Sequence, residues 1–172
     1  MSKNLSMWLS FLLVVAVVLT SSRAARAQME GGIPVGATGA DVKIEPLGAV
    51  PAKLSALAAN RPVLFVVFLP TCPDCQAEVP TMNAVFRKLD PKKVGMVAVG
   101  LRQSAPALKA FQQRFGVQYP LAGDSTRQVE GPYNILAVPS FFVMDKGRVV
   151  KFEGHEATAD ELVNNLNALA AR

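Results

Sequence analysis

Val63-Leu64-Phe65-Val66-Val67-Phe68-Leu69-Pro70-Thr71-Cys72-Pro73-Asp74-Cys75 is the stretch from which the fold can be read. Its first seven residues form an unbroken apolar run rich in Val and Phe. A run without polar alternation suits a strand buried on both faces, as in a parallel sheet covered by helices. The strand ends at a turn carrying the chain's two cysteines, three positions apart. A helix-like stretch follows from Pro73 to Leu89, with Val79, Met82, Phe86 and Leu89 recurring as one inward stripe. Pro80 sits inside it and predicts a kink. A helix starting at the motif would turn its free N–H groups towards the first sulfur, and these donors and the helix dipole favour a thiolate over a thiol. A thiol pKa near ~8.5 can fall to ~3.5–7.5 in such a setting. This is the chemistry of reversible disulfide exchange.

Working outward, Val42–Glu45 reads as a short strand, Pro46-Leu47-Gly48 as a turn and Leu54–Ala59 as a short helix ended by Asn60-Arg61-Pro62. Val94–Leu101 is the next strand. Pro106–Phe115 is a helix with Leu108, Phe111 and Phe115 on one face and Gly116 as its stop. Tyr119–Ala122 reads as a short strand and Ser125–Tyr133 as a short helix. Ser140–Met144 and Val149–Phe152 flank Asp145-Lys146-Gly147-Arg148, a hairpin with Gly in the turn. Thr158-Ala159-Asp160-Glu161 is a capping box opening a last helix, with Leu162, Leu166 and Leu169 facing the core. The expected fold class is α/β: a mixed central sheet, parallel in its first half and antiparallel at the hairpin, with helices on both faces.

The chain has 172 residues and is 51% hydrophobic, enough for one domain with a sizeable core. Its formal charge is +5, but Lys3, Arg23 and Arg26 lie in the first 27 residues. Without them 15 basic residues stand against 13 acidic, a balance of +2. No cluster of Lys and Arg with interleaved aromatics points to nucleic acid. Residues 1–27 read as a signal peptide: Lys3, then the apolar Phe11–Leu19, then Ala25-Arg26-Ala27 as a small-x-small cleavage pattern before Gln28. The alternative is an uncleaved N-terminal anchor, although nine apolar residues fall short of the ~20 that a spanning helix needs. Either way the domain is expected to be exported, most economically to a bacterial periplasm, where a cysteine pair can cycle. Residues 28–40, with Gly31, Gly32, Pro34, Gly36 and Gly39, read as a flexible linker, and 41–172 as the domain proper.

With these residues in view, the chain resembles thioredoxin-fold proteins, and within them the exported TlpA/ResA/DsbE-like thiol-disulfide oxidoreductases with their redoxin or AhpC/TSA-like domain. The resemblance covers roughly Val42 to Ala171. It rests on the apolar strand leading into Cys72-Pro73-Asp74-Cys75, and on Pro80, where this family kinks its active-site helix. Val138-Pro139-Ser140 before Phe141–Met144 has the form of the family's cis-proline loop, and the hairpin ending Phe152-Glu153-Gly154 matches the family's last one. Cys75-Gln76-Ala77-Glu78-Val79-Pro80 matches the narrower pattern C-x-x-E-x-P, whose glutamate is assigned a tuning role. Tyr119–Tyr133 is similar to this group's insertion. Two departures bear on substrate choice and redox poise. Thr71 stands where the family usually has Trp, and Val66 where thioredoxin keeps a buried acid.

The resemblance implies a three-layer thioredoxin-like fold and a set of roles. Cys72 is the nucleophile, Cys75 the resolving thiol, and the two form a disulfide when oxidised. Val138 and Pro139, facing Pro73 and Asp74, present backbone to a client strand, as in strand addition. Glu78 either relays the Cys75 proton, its pKa raised by partial burial, or is an ordinary solvated helix residue. Asp74 in the helix's first turn opposes a thiolate at Cys72, which points to a reductant or a protein of intermediate potential rather than a strong oxidant; a side chain directed to solvent would do neither. No bound cofactor is required. The expected partners are client protein thiols and disulfides and a membrane electron donor, the expected state a monomer.

A structural zinc site needs four ligands, and two Cys with one His do not supply them. A staple across so short a loop constrains little of the unfolded chain. The competing class is a copper(I)-binding chaperone using the same two thiolates, which are soft enough for that ion. His155, the single histidine, lies beyond the last strand and is expected at the surface.

Overall fold

The computed structural model describes residues 31–153 and 158–172. The leader assignment and His155 lie outside the described residues. The elements are β1 (Glu45–Leu47), α1 (Leu54–Ala58), β2 (Val63–Phe68), α2 (Pro73–Ala77), α3 (Val79–Lys88), β3 (Gly95–Leu101), α4 (Ala105–Phe115), β4 (Leu121–Asp124), β5 (Ser140–Asp145), β6 (Arg148–Glu153) and α5 (Ala159–Ala170). Six strands form one sheet in the order β1-β4-β3-β2-β5-β6. β2, β3 and β4 run parallel, while β5 pairs antiparallel to β2, β6 to β5 and β1 to β4.

The apolar run of β2 works on both faces. Leu64, Val66 and Phe68 enter the core beneath α3, α4 and α5, with Met82, Leu108 and Leu162. Val63, Phe65 and Val67 enter the opposite core with Leu54 and Leu57 of α1, Tyr133 and Phe142. All six β2 residues are buried, so the period-2 geometry of a strand is satisfied with no polar face at all. The mixed sheet with helices on both faces is therefore as expected. β2 at its centre delivers Cys72 just past its C-terminal end.

Helix ends follow local chemistry. Gly116 closes α4 in the left-handed conformation at φ 64°, where glycine carries no Cβ penalty. Thr158 and Glu161 form the expected capping box. The kink anticipated at Pro80 appears as an interruption at Glu78, between α2 and α3, where the backbone stays right-handed and Glu78 N–H still donates to Asp74 O and Met82 N–H to Glu78 O.

Three expectations change. The first strand is Glu45–Leu47, so Pro46 and Leu47, read as part of a turn, lie in it, and Val42–Ile44, read as strand, do not. Ser125–Tyr133 is not a helix but a series of turns. The buried Asp124 carboxylate accepts the N–H groups of Gln128 at 2.7 Å and Val129 at 3.1 Å, and Arg127 stands at φ 56°, outside helical space. Residues 32–40 are not a free linker. They run along the outer edge of β6, with Gly36 N–H donating to Val149 O, Val149 N–H to Ala37 O and Gly39 N–H to Gly147 O. Gly32 N–H reaches Asn134 O at 2.8 Å. A glycine-rich composition suggests freedom, but backbone pairing to an open strand edge does not depend on side chains.

Candidate active site

The turn after β2 is held by its own backbone and by one side chain. Cys72 N–H donates to Leu69 O at 3.1 Å, and the Gln76 side-chain amide donates to Pro70 O at 2.7 Å. Cys72 is the N-cap of α2, with Pro73 at the first helical position, where its missing N–H costs nothing. The Cys72 Sγ accepts the Cys75 N–H at 3.4 Å, so the first sulfur caps the short helix that carries the second.

The two thiols differ in surroundings. Cys72 is half-buried, and its thiol donates to Val138 O at 3.6 Å. Cys75 lies behind it, 4% exposed, in the core with Val79 and Met82. Burial pushes the Cys75 thiol up to about 12, assisted by Cys72 and by the nearby charge of Asp74, while the Leu69 N–H pulls the other way. Asp74 is exposed in the first turn of α2. Val138 belongs to the loop that precedes β5, and its bond to Pro139 is cis. The Ser140 hydroxyl donates to Ala137 O at 2.7 Å and fastens this loop.

Glu78 falls at the break between α2 and α3, half-buried. Its Oε1 is cut off from solvent with no hydrogen-bond partner. Burial raises its pKa above the usual carboxylate value, and the Thr81 hydroxyl offsets part of that rise. A carboxyl with one orphaned oxygen, three residues along the chain from a buried thiol, can hold or pass a proton.

The structure thus brings Cys72, Pro73, Asp74, Cys75, Glu78, Val138 and Pro139 to one end of the sheet. Val66, at the position of thioredoxin's buried acid, is a core residue 4% exposed. The sequence reading did not single out Gln76 or Ser140, which fasten the two loops, nor Leu136, which is 62% exposed two residues before Val138. The signals were present but generic: a polar residue inside the motif and a hydroxyl beside the proline.

The AhpC/TSA family model matches residues 35–153. The chain belongs to the AhpC/TSA family. Among curated AhpC/TSA-like relatives, a thiol-disulfide oxidoreductase ResA of Bacillus thuringiensis is 30% identical over 99 residues, 57% of each chain. The chain therefore spans somewhat more than half the length of that relative. A candidate protein disulfide isomerase from Bacteroides thetaiotaomicron superposes with a TM-score of 0.72 at 19% identity, covering 83% of this chain and 94% of its own. A secreted Mycobacterium tuberculosis disulfide oxidoreductase homologous to DsbE superposes at 0.62 with 21% identity, covering 75% of this chain and 96% of its own. These structures show that this AhpC/TSA member has the thioredoxin-like α/β fold that its sequence resembles.

Proposed function

We propose that this protein is an exported thiol-disulfide oxidoreductase acting on client proteins, with Cys72 and Cys75 as its redox pair. The observation that carries this reading is a half-buried Cys72 Sγ at a helix N-cap, against Val138 O, with a buried Cys75 one helical turn behind. The curated relatives carry the same activity in their names.

In the reducing direction the Cys72 thiolate attacks one sulfur of a client disulfide. That S–S bond breaks, and the first client sulfur leaves as a thiolate and takes a proton from solvent. Cys75 gives its proton to Glu78 and attacks Cys72 Sγ. The second client thiolate departs, and two electrons have passed from the protein to the client. An external dithiol, held by a membrane electron donor, then reduces the Cys72–Cys75 disulfide. Backbone at Val138 and Pro139, opposite Pro73 and Asp74, holds the client strand during both attacks.

The reducing direction is supported by Asp74, whose charge disfavours a thiolate at Cys75. Strong oxidants of this kind stabilise their reduced form through a thiolate of very low pKa. We place the protein in the periplasm, as a monomer, serving clients such as apocytochrome c thiols. The secreted DsbE-like neighbour and the leader-like residues 1–27 support that placement.

Insulin-disulfide reduction by the protein, with Cys72→Ser as control, tests the reading. Turnover lost in the variant is expected. Stoichiometric copper(I) binding without turnover would instead establish the copper-chaperone class. A reduction potential near −120 mV, the value of the strong oxidant DsbA, would reverse the proposed direction.

A further inference from the structure

Residues 32–40 do more than cover the edge of β6. Each end of the segment holds one residue of a loop, and those two residues are neighbours. At one end Gly32 N–H donates to Asn134 O at 2.8 Å, and the Asn134 side-chain amide donates back to Gly32 O at 3.1 Å. At the other end Ala40 O accepts the Tyr133 hydroxyl at 2.9 Å. Between them Gly36, Ala37 and Gly39 pair with Val149 and Gly147 of the hairpin. The segment is thus a strut braced on the hairpin, with Tyr133 and Asn134 fastened to its ends.

Both residues connect the strut to the cysteine site. Tyr133 is fully buried, and its ring stands edge-on to Phe65 at 5.0 Å and to Phe142 at 5.4 Å. Phe65 lies in β2, which leads into Cys72, and Phe142 lies in β5, which follows Pro139. Gly39 allows the strut to come this close, since a Cβ there would stand 2.6 Å from the Tyr133 hydroxyl oxygen. Asn134 stands at φ 48°, a left-handed conformation that Asn tolerates better than most residues. It lies four residues before Val138, whose carbonyl accepts the Cys72 thiol at 3.6 Å. Bonds from Asn134 N–H to Gly131 O and from Ile135 N–H to Glu130 O only close the local turn. Downstream the Ser140 hydroxyl holds Ala137 O. The exposed Leu136 and the half-buried Val138 therefore lie on a short span pinned at both ends, and the strut is the upstream pin.

We propose that residues 32–40 position the client-holding loop, with Asn134 as the positioning residue through which the strut sets Leu136–Val138 against Cys72. This inference rests on the exchange reading above and on the client contact given there to Val138 and Pro139. A client strand that pairs with loop backbone binds through orientation-dependent hydrogen bonds, and a loop that must first be ordered loses affinity. A strut that orders the loop in advance removes that loss. Asn134 takes no part in the sulfur chemistry. Releasing it should weaken client binding and leave the reactivity of Cys72 as it is.

The test separates client binding from thiol chemistry in the full-length protein. Asn134→Asp keeps the size of the side chain and its tolerance of positive φ, but replaces the donor with a carboxylate facing Gly32 O. Steady-state insulin reduction, with dithiothreitol renewing the dithiol, is compared with the rate at which the reduced protein attacks dithiobis-nitrobenzoate, a disulfide too small to need the loop. The expected result is a KM for insulin about fivefold higher, with kcat and the small-disulfide rate within about twofold of wild type. Tyr133→Phe keeps the ring and removes the bond to Ala40 O, and it should move KM the same way. Hydrogen exchange followed by mass spectrometry should quicken over residues 134–138 in both variants and stay unchanged in α3. Arg148→Ala removes only a side-chain bond to Gly36 O at 3.2 Å, midway along the strut, and should keep the wild-type KM and loop exchange. Wild-type KM in both loop variants, beside a wild-type protein that reduces insulin, overturns the role of the strut and leaves the exchange reading standing. A loss of kcat and small-disulfide rate as large as the rise in KM marks general damage and also overturns the proposal. Wild-type protein that fails to reduce insulin overturns the exchange reading, and the client role of the loop with it.

Discussion

The sulfur of Cys72 caps the helix that holds Cys75, accepting its N–H at 3.4 Å. The nucleophile is thus also a structural part of α2. Losing an N-cap acceptor typically costs about 0.5–2 kcal/mol, and a thiol acceptor belongs at the lower end. Cys72→Ser preserves an acceptor and Cys72→Ala does not. Both variants should be inactive in disulfide exchange, but in urea titrations the Ala variant should be less stable than the Ser variant by about 0.5–1 kcal/mol. Equal stabilities would show that the sulfur is not capping.

The asymmetry between the thiols predicts selective alkylation. With its pKa near 12, Cys75 is thiolate in only about one molecule in ten thousand at pH 8, and it is also 4% exposed. Iodoacetamide on the reduced native protein should give one adduct, mapped by peptide mass spectrometry to Cys72. Denaturant should add the second. Two adducts in the native protein at similar rates would contradict the burial of Cys75.

Glu78 should weaken the fold as it ionises. Its folded pKa is raised above 4.5, so both states are protonated well below that pH and there is no penalty. As pH rises through the folded value, the native state gives up its proton less readily than the unfolded chain, and stability falls. Glu78→Gln has no such charge. Its melting temperature should match the wild type well below pH 4.5 and exceed it once Glu78 ionises in the folded state, the gap opening as pH rises through the folded value and then levelling off. A gap that narrows towards alkaline pH would refute the assignment.

Two glycines separate close packing from backbone freedom. A Cβ at Gly123 in β4 would overlap Gln103 O and stand 2.9 Å from Ala105 N, both of them backbone atoms. Gly123→Ala must therefore shift the start of α4 and should cost about 1–3 kcal/mol. A Cβ at Gly131 meets nothing within 4 Å. Gly131→Ala should be neutral or stabilising by up to about 1 kcal/mol. Thermal melts of the two variants decide it, and a similar loss in both would contradict the contact at Gly123.

What the sequence could convey depended on whether a feature was periodic or local. The continuous run at Val63–Leu69, the stripe Val79, Met82, Phe86 and Leu89, and the Thr158–Glu161 box all depend on near neighbours: the strand spans Val63–Phe68, Val79, Met82 and Leu89 are buried with Phe86 partly buried against the same core, and the box forms. The cysteine pair and Glu78 were visible because spacing from a strand end fixes where they lie. Ser125–Tyr133 misled because its helix-compatible composition is overruled by one buried carboxylate, Asp124, which takes the N–H groups a helix would need. Asn83, buried on α3 and bonded to Gly116 and Gln118, was unreadable for a different reason: its partners lie tens of residues away, and a single asparagine carries no pattern.

A six-stranded open sheet has two rims, and rims recruit foreign strands. The β6 rim is already occupied along its hairpin end by the chain's own residues 36–39. The opposite rim is β1, only three residues long. A protein whose proposed work is to hold client strands beside its cysteines thus leaves little sheet edge on which a half-folded client could add a strand. On the proposed reading, client chains would meet the sheet at the end that carries the cysteines rather than along its flanks.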